Sequence, residues 1–234
     1  MKAFLIAVLV SLSPLAAQTR AAAPERRTAQ AGAPIDLTGY WVAFVTEDWR
    51  FRMITPRKGD YQAVPMTPEA RRVADAWDPA ADEAAGNQCK AYGAAAIMRV
   101  PGRFHITWQD ESTLRIDTDA GTQTRLLHFT PIPPSPGPRT WQGVSAAQWQ
   151  AGSLKAVTTN LRSGYLRKNG VPYSENAVVT EYYDVAPLPR GGQVLLITTV
   201  VDDPQYLQQP FTTSSQFKKE ADGSKWDPSP CSAR

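Results

Sequence analysis

Glu47, Glu181 and His128 are the side chains in this sequence best placed for proton chemistry, because each shares strand parity with apolar neighbours. Glu47 alternates in step with Val45 and Trp49, while Asp48, Arg50 and Arg52 take the other parity. A regular strand turns such a carboxylate inward, where desolvation raises its pKa and suits it to general acid or base work near neutral pH. A bulge near Glu47, or burial against an arginine, would remove that role. Glu181 repeats the pattern with Val179, Tyr183 and Val185, and His128 joins the face of Trp108 in the hairpin register set out below. A satisfied core or rim histidine is the plainer account of His128. If the three converge, they form a polar spot in an aromatic-lined cavity, with Trp41, Trp49, Trp108 and Tyr183 as ligand-binding candidates. His105 opposite Asp117 resembles an oriented general base, but Arg103, Arg115 and Arg125 on the same face favour an exposed ion-pair ladder.

Motif-defined chemistry is missing. There is no P-loop, no G-x-G-x-x-G after a strand, no G-x-S-x-G elbow and no H-E-x-x-H. With two histidines and two cysteines, a structural zinc or haem site has too few ligands, so no cofactor and no metal is expected. Asp202-Asp203 could serve a calcium ion, though a polar turn before Pro204 explains the pair more simply. Cys89 and Cys231 read as a disulfide in an oxidising compartment, with two unpaired thiols as the alternative.

The elements that must position these residues are mostly strands. Asp36 to Met53 alternates as one long strand. Thr67-Pro68-Glu69 then starts a helix running to Trp77, and Asp78-Pro79 starts a second, shorter one stopped near Gly86. From Arg103 a strand runs to the turn at Asp110, Thr113 to Thr118 returns, and Asp119-Ala120-Gly121 suits a three-residue hairpin loop. In that register His105 faces Asp117, Arg103 faces Asp119 and Arg125 lies opposite Asp117. Thr124, Leu126 and His128 then join the face of Ile106 and Trp108. Pro131 to Pro138 breaks the sheet as a surface crossing. Strands resume over 153–160, 177–185, 194–201 and 211–219, with Asn169-Gly170 and Gly191-Gly192 as turns. These seven to nine strands must close or stack to hide their edges. Sequential hairpins favour an antiparallel up-and-down barrel with a short helical insertion, with a β-sandwich as the alternative.

Lys2, the apolar run from Ala3 to Leu12 and the small residues after Ser13-Pro14 have the layout of a secretory signal, with cleavage after Ala17 or Ala23 and the segment taken as residues 1–23. The run is half the length of a membrane span, so no stable membrane anchor is expected. Residues 24–34 lack apolar periodicity and read as a flexible lead-in, leaving 35–234 as a single β-rich domain. Loss of Lys2 and Arg20 with residues 1–23 takes the formal charge from +3 to +1, which gives no electrostatic case for nucleic acid.

Leu37-Thr38-Gly39-Tyr40-Trp41 resembles the G-x-W element that opens lipocalin and related calycin barrels. That resemblance implies that Trp41 closes one end of the core. The phrases Thr46-Glu47-Asp48-Trp49-Arg50 and Asp222-Gly223-Ser224-Lys225-Trp226 are similar to an uncharacterised group of secreted bacterial proteins, which implies export and no particular activity. The expectation is a periplasmic or secreted lipocalin-like barrel holding a small, partly apolar molecule. Its rivals are a cofactor-independent isomerase or hydrolase using a buried carboxylate, and an interaction module of the cell envelope. Oligomeric state is left open.

Overall fold

Residues 27–131 and 137–234 are described by a computed structural model, so the expected signal segment lies outside the described residues. Eleven strands form in chain order: β1 (Gly39–Ala43), β2 (Arg103–Asp110), β3 (Thr113–Thr118), β4 (Thr124–His128), β5 (Val144–Gln150), β6 (Ser153–Thr159), β7 (Gly164–Arg167), β8 (Val171–Tyr173), β9 (Val178–Pro187), β10 (Gln193–Asp202) and β11 (Phe211–Lys219). Three short helices, α1 (Trp49–Arg52), α2 (Pro68–Asp75) and α3 (Pro79–Ala84), sit between β1 and β2. Nine strands close in the order β1-β11-β10-β9-β6-β5-β4-β3-β2, giving the expected barrel with a helical insertion. The β7-β8 hairpin stands apart. One neighbouring pair, β4 with β5, is parallel, so the two strands start from the same end of the barrel.

Both helical starts follow from their caps. Thr67 Oγ1 accepts from Ala70 N and Asp78 Oδ1 from Ala80 N, each ahead of a proline in the first helical turn. Strand parity fills the barrel interior with Trp41, Phe104, Ile106, Leu114, Ile116, Leu127, Leu154, Leu195, Ile197 and Phe217, all at 1% exposure or less. Trp41 is wholly buried and donates from Nε1 to Leu37 O, with the Lys219 ammonium 4.8 Å above its ring. At the opposite end of the β2 strand Trp108, Phe129 and Trp149 pack as an aromatic trio. Trp149 Nε1 donates to Ala29 O and Gln30 N to Glu111 O, so the part of the expected lead-in that is described is bonded to this end of the barrel. A second core, including Tyr61, Met66, Leu166, Tyr173, Leu207 and Phe211, joins the helices and the β7-β8 hairpin at the other end.

Two local expectations are corrected. The first strand stops at Ala43, because Asp48 adopts a left-handed backbone (φ 53°) and the next four residues form α1. Glu47 and Trp49 are therefore surface residues, and the inward role expected of the Glu47 carboxylate is lost. The second is a slip of one residue in the β3-β4 hairpin: Thr124, not Arg125, lies opposite Asp117. Thr118 N bonds to Gln123 O, and Gly121 N reaches Ser229 O in the C-terminal segment, so tertiary contacts set a turn one residue longer than the local pattern predicts. Gly121 holds φ +80° with its Cα pressed on the Tyr92 ring, where any side chain would clash. A single-residue slip reverses every side chain that follows. Arg125 enters the barrel, and Leu126 and His128 move to the outer face, only partly buried.

Inside, Arg125 meets Glu181, which parity did place inward. The guanidinium donates to both carboxylate oxygens, at 2.9 Å and 2.6 Å, and also to Thr158 Oγ1, which shares a hydrogen bond with Ser145. The two residues are 1% and 0% exposed. Burial alone would disfavour the Arg125 charge, but Glu181 and Tyr183 outweigh it and hold the guanidinium more firmly protonated than usual. Burial also drives the Tyr183 hydroxyl well above its ordinary range, with the Glu181 charge adding to the effect.

Cys89 and Cys231 are bonded across 142 residues, the pairing expected from the sequence. Removing the bridge with Cys231→Ser should cost about 2–5 kcal/mol in urea unfolding, and reduction of the native protein should add two hydrogen masses on intact-mass analysis. Glu181→Leu should cost about 3–5 kcal/mol by stranding the Arg125 charge, whereas Arg125→Met with Glu181→Leu should recover most of that loss. Equal losses in the single and double variants would show that the pair acts through packing alone.

Candidate functional site

The expected trio does not assemble. Glu47 accepts from Gln216 Nε2 at the surface, His128 faces outward, and Glu181 is sealed inside with Arg125. The ligand-binding candidates separate in the same way: Trp41 and Tyr183 are core, Trp108 belongs to the aromatic trio, and Trp49 is 63% exposed. His105 does face Asp117, stacks on Tyr40 at 4.0 Å between ring centres, and sits beside the Arg115–Asp117 and Arg103–Glu220 ion pairs. This face is the expected ion-pair ladder without Arg125. Asp203 is spent locally, accepting from Ser174 N and Oγ and from Gln205 N, and no carboxylate, histidine and cysteine group suited to a metal occurs among the described residues.

Three other side chains do meet. Arg52 ends α1, Arg99 ends a 3-10 turn at Ile97–Arg99, and Arg167 ends β7, so the insertion and the separate hairpin bring them to one rim of the barrel. They are 7%, 7% and 3% exposed. Arg99 Nη2 donates to Asp48 Oδ2 at 2.8 Å, and the same carboxylate oxygen is 4.0 Å from Arg167 Nη2. Arg52 Nε donates to Arg99 O and Arg167 Nη1 to Gln62 O. The Arg167 guanidinium lies 4.1 Å over the Phe51 ring and 5.9 Å from that of Phe211. The left-handed Asp48 has a purpose in this setting, since it turns a carboxylate toward Arg99 and starts the helix that delivers Phe51 and Arg52.

The hydrogen bonding is incomplete. Asp48 is the one carboxylate in ion-pair contact with these guanidiniums among the described residues, reaching Arg99 and Arg167 but not Arg52, while Glu47 and Asp60 attract from farther away and Asp60 is bonded to Arg50. Both terminal nitrogens of Arg52, and Nε and Nη2 of Arg167, are buried without a hydrogen-bond partner among the described residues. Burial, together with the charge of Arg99, pulls the Arg52 and Arg167 pKa values down to about 10, so both are still cationic at neutral pH. Buried cationic donors left unpaired are expensive, and such expense concentrates at functional sites.

The space around them matches the charge. A cavity of about 30 Å³ is lined by all three arginines, Lys168 and the Phe51 ring. That is room for roughly two water-sized groups, such as the oxygens of one carboxylate. Arg99 also lines an adjoining groove of about 400 Å³, walled by Glu47, Asp48, Ala63, Thr198 and the start of β11 from Phe211 to Ser214. The groove is within the size range of small-molecule sites. Parity assigned Arg52 to a solvent face. The one local signal was the alternation of aromatic and arginine in Trp49-Arg50-Phe51-Arg52 after an acid, and nothing in the sequence joined it to Arg99 and Arg167.

If these charges are retained for a ligand, Arg52→Met should stabilise the unliganded protein by about 1–2 kcal/mol in urea unfolding, because it exchanges an unpaired buried cation for packing. A loss of similar size would mean that Arg52 is structural. The chain matches no protein-family model, no curated protein and no solved structure, so the geometry alone must carry its functional reading.

Proposed function

We propose that this chain is an exported barrel, of the periplasm or the surrounding medium, that binds a small, partly apolar molecule through an anionic group. The carrying observation is the set of buried, unpartnered guanidinium nitrogens of Arg52 and Arg167. A carboxylate, phosphate or sulfonate accepts several such donors at once, and arginine's planar fork suits the two oxygens of one such group. Arg99 lies between the small cavity and the groove. It can hold the anionic head while the apolar part lies against Phe211 and Ala63. The disulfide fits an oxidising compartment, and no helix among the described residues is long and apolar enough to cross a membrane.

This reading moves the ligand from the barrel interior to its rim. The interior positions are taken by large apolar side chains and by a carboxylate already neutralised by Arg125, which also weakens the case for a general base at Glu181. Nucleic-acid binding has no electrostatic support in the near-neutral charge expected once residues 1–23 are lost.

Thermal unfolding with phosphate, benzoate or octanoate tests the proposal. At an anion concentration about a hundred times Kd, the native protein should gain about 2.7 kcal/mol, or roughly 5–10 °C in Tm. Arg167→Met should lose that gain while keeping a cooperative transition. The same gain in the variant, or no gain for the native protein with any of the three anions, would overturn an arginine-based anion site.

A further inference from the structure

Five large apolar residues are exposed among the described residues, and four of them fall within the eleven positions from 44 to 54: Phe44 at 49%, Trp49 at 63%, Met53 at 59% and Ile54 at 66%. A cluster of such side chains on the surface of a water-soluble fold marks a contact site. Local structure holds them in place. Phe44 N bonds to Gln216 O of β11, fixing the root of the loop, and Met53 N bonds to Trp49 O. Trp49 and Met53, four residues apart, therefore share one face of α1, while Arg52 is buried toward the arginine site. The same short segment thus presents Trp49 and Met53 outward and Arg52 inward, with Arg50 exposed beside Asp60. Arg57 and Lys58 follow within four residues of Ile54.

We infer that residues 44–54 form a docking loop for the surface of a bilayer containing anionic phospholipid, with a lipid headgroup phosphate as the anion taken by Arg52, Arg99 and Arg167. The inference rests on the anion site proposed above and names the source of its ligand. Trp and Phe favour the headgroup boundary, where an amphipathic ring is half wet, and Met and Ile enter the acyl edge. Arg57 and Lys58 add attraction to a negative leaflet. Charge complementarity selects this occupant: an apolar loop backed by unpaired cations matches a surface that offers hydrocarbon and phosphate together. The contact is reversible, since four side chains supply much less apolar burial than a spanning helix.

Co-sedimentation with vesicles tests the inference, using phosphatidylcholine alone and phosphatidylcholine with about one-third phosphatidylglycerol. The native protein should pellet with the anionic vesicles and be released by salt. Trp49→Ser with Ile54→Ser should lower the partition coefficient at least about tenfold, because each removes a large buried side chain from the contact. That double variant should keep the full phosphate-induced rise in Tm, since neither residue lines the arginine site. A native protein that phosphate stabilises but anionic vesicles leave in the supernatant would overturn the docking loop and leave the anion site standing. Unchanged partition in the double variant would also overturn it. Absence of both the thermal rise and vesicle binding would overturn the anion site and the docking loop together.

Discussion

The interior of this barrel is organised by one charged contact, the bidentate bond between Arg125 on β4 and Glu181 on β9. Two unit charges removed from water cost several kcal/mol each, and the cost is offset only when the geometry is good and the remaining donors are engaged. Thr158 and Ser145 from the two strands between them meet part of that need. The contact ties four neighbouring strands across a span that includes the single parallel pair, where the sheet has few ladder bonds of its own. It also excludes other registers: moving β4 by one residue would strand Glu181 among apolar side chains and place a second charge outside.

Most of the architecture was legible in the sequence, and the reasons are local. Period-two alternation marked β6, β9, β10 and β11 within a residue or two, and the Thr67 and Asp78 caps, each followed by proline, marked the two helices. Glu181 was correctly turned inward by its parity with Val179 and Tyr183. His105 was correctly set opposite Asp117, because a tight turn at Asp110-Glu111-Ser112 carries its own register. Strands β5, β7 and β8 went unmarked, so eleven strands stand where seven to nine were expected, while the two failures of register and strand length have a common cause. The turn at 119–122 is set by Ser229, more than a hundred residues away, and the end of β1 by the partners of Asp48 at Arg99 and Arg167. Long-range contacts overrode the local pattern in both places.

The arginine site escaped for a related reason. Its members come from α1, a 3-10 turn and β7, separated by 47 residues between Arg52 and Arg99 alone. Only the fold shows that they share a cavity. An arginine between aromatic residues reads locally as a solvated face, and that is the ordinary outcome. What distinguishes Arg52 and Arg167 is burial without sufficient partners, a property of the assembled structure. Of the residues that did look chemical, Glu47 was exposed and His128 turned to the outer face by the same two corrections that buried Arg52 and Arg125.

The closing seam of the barrel has a kinetic meaning. β1 pairs with β11 through three residue pairs, Trp41 with Lys219, Val42 with Lys218 and Ala43 with Phe217, although nearly the whole domain separates them in sequence. Contacts of such sequence separation form late, after the entropy of a long loop has been overcome. Until then β1 and β11 are open edges with unpaired amides, the condition in which strands of different molecules join. The barrel therefore passes its most aggregation-prone stage just before completion, and the short length of the seam limits how much edge is exposed at that moment.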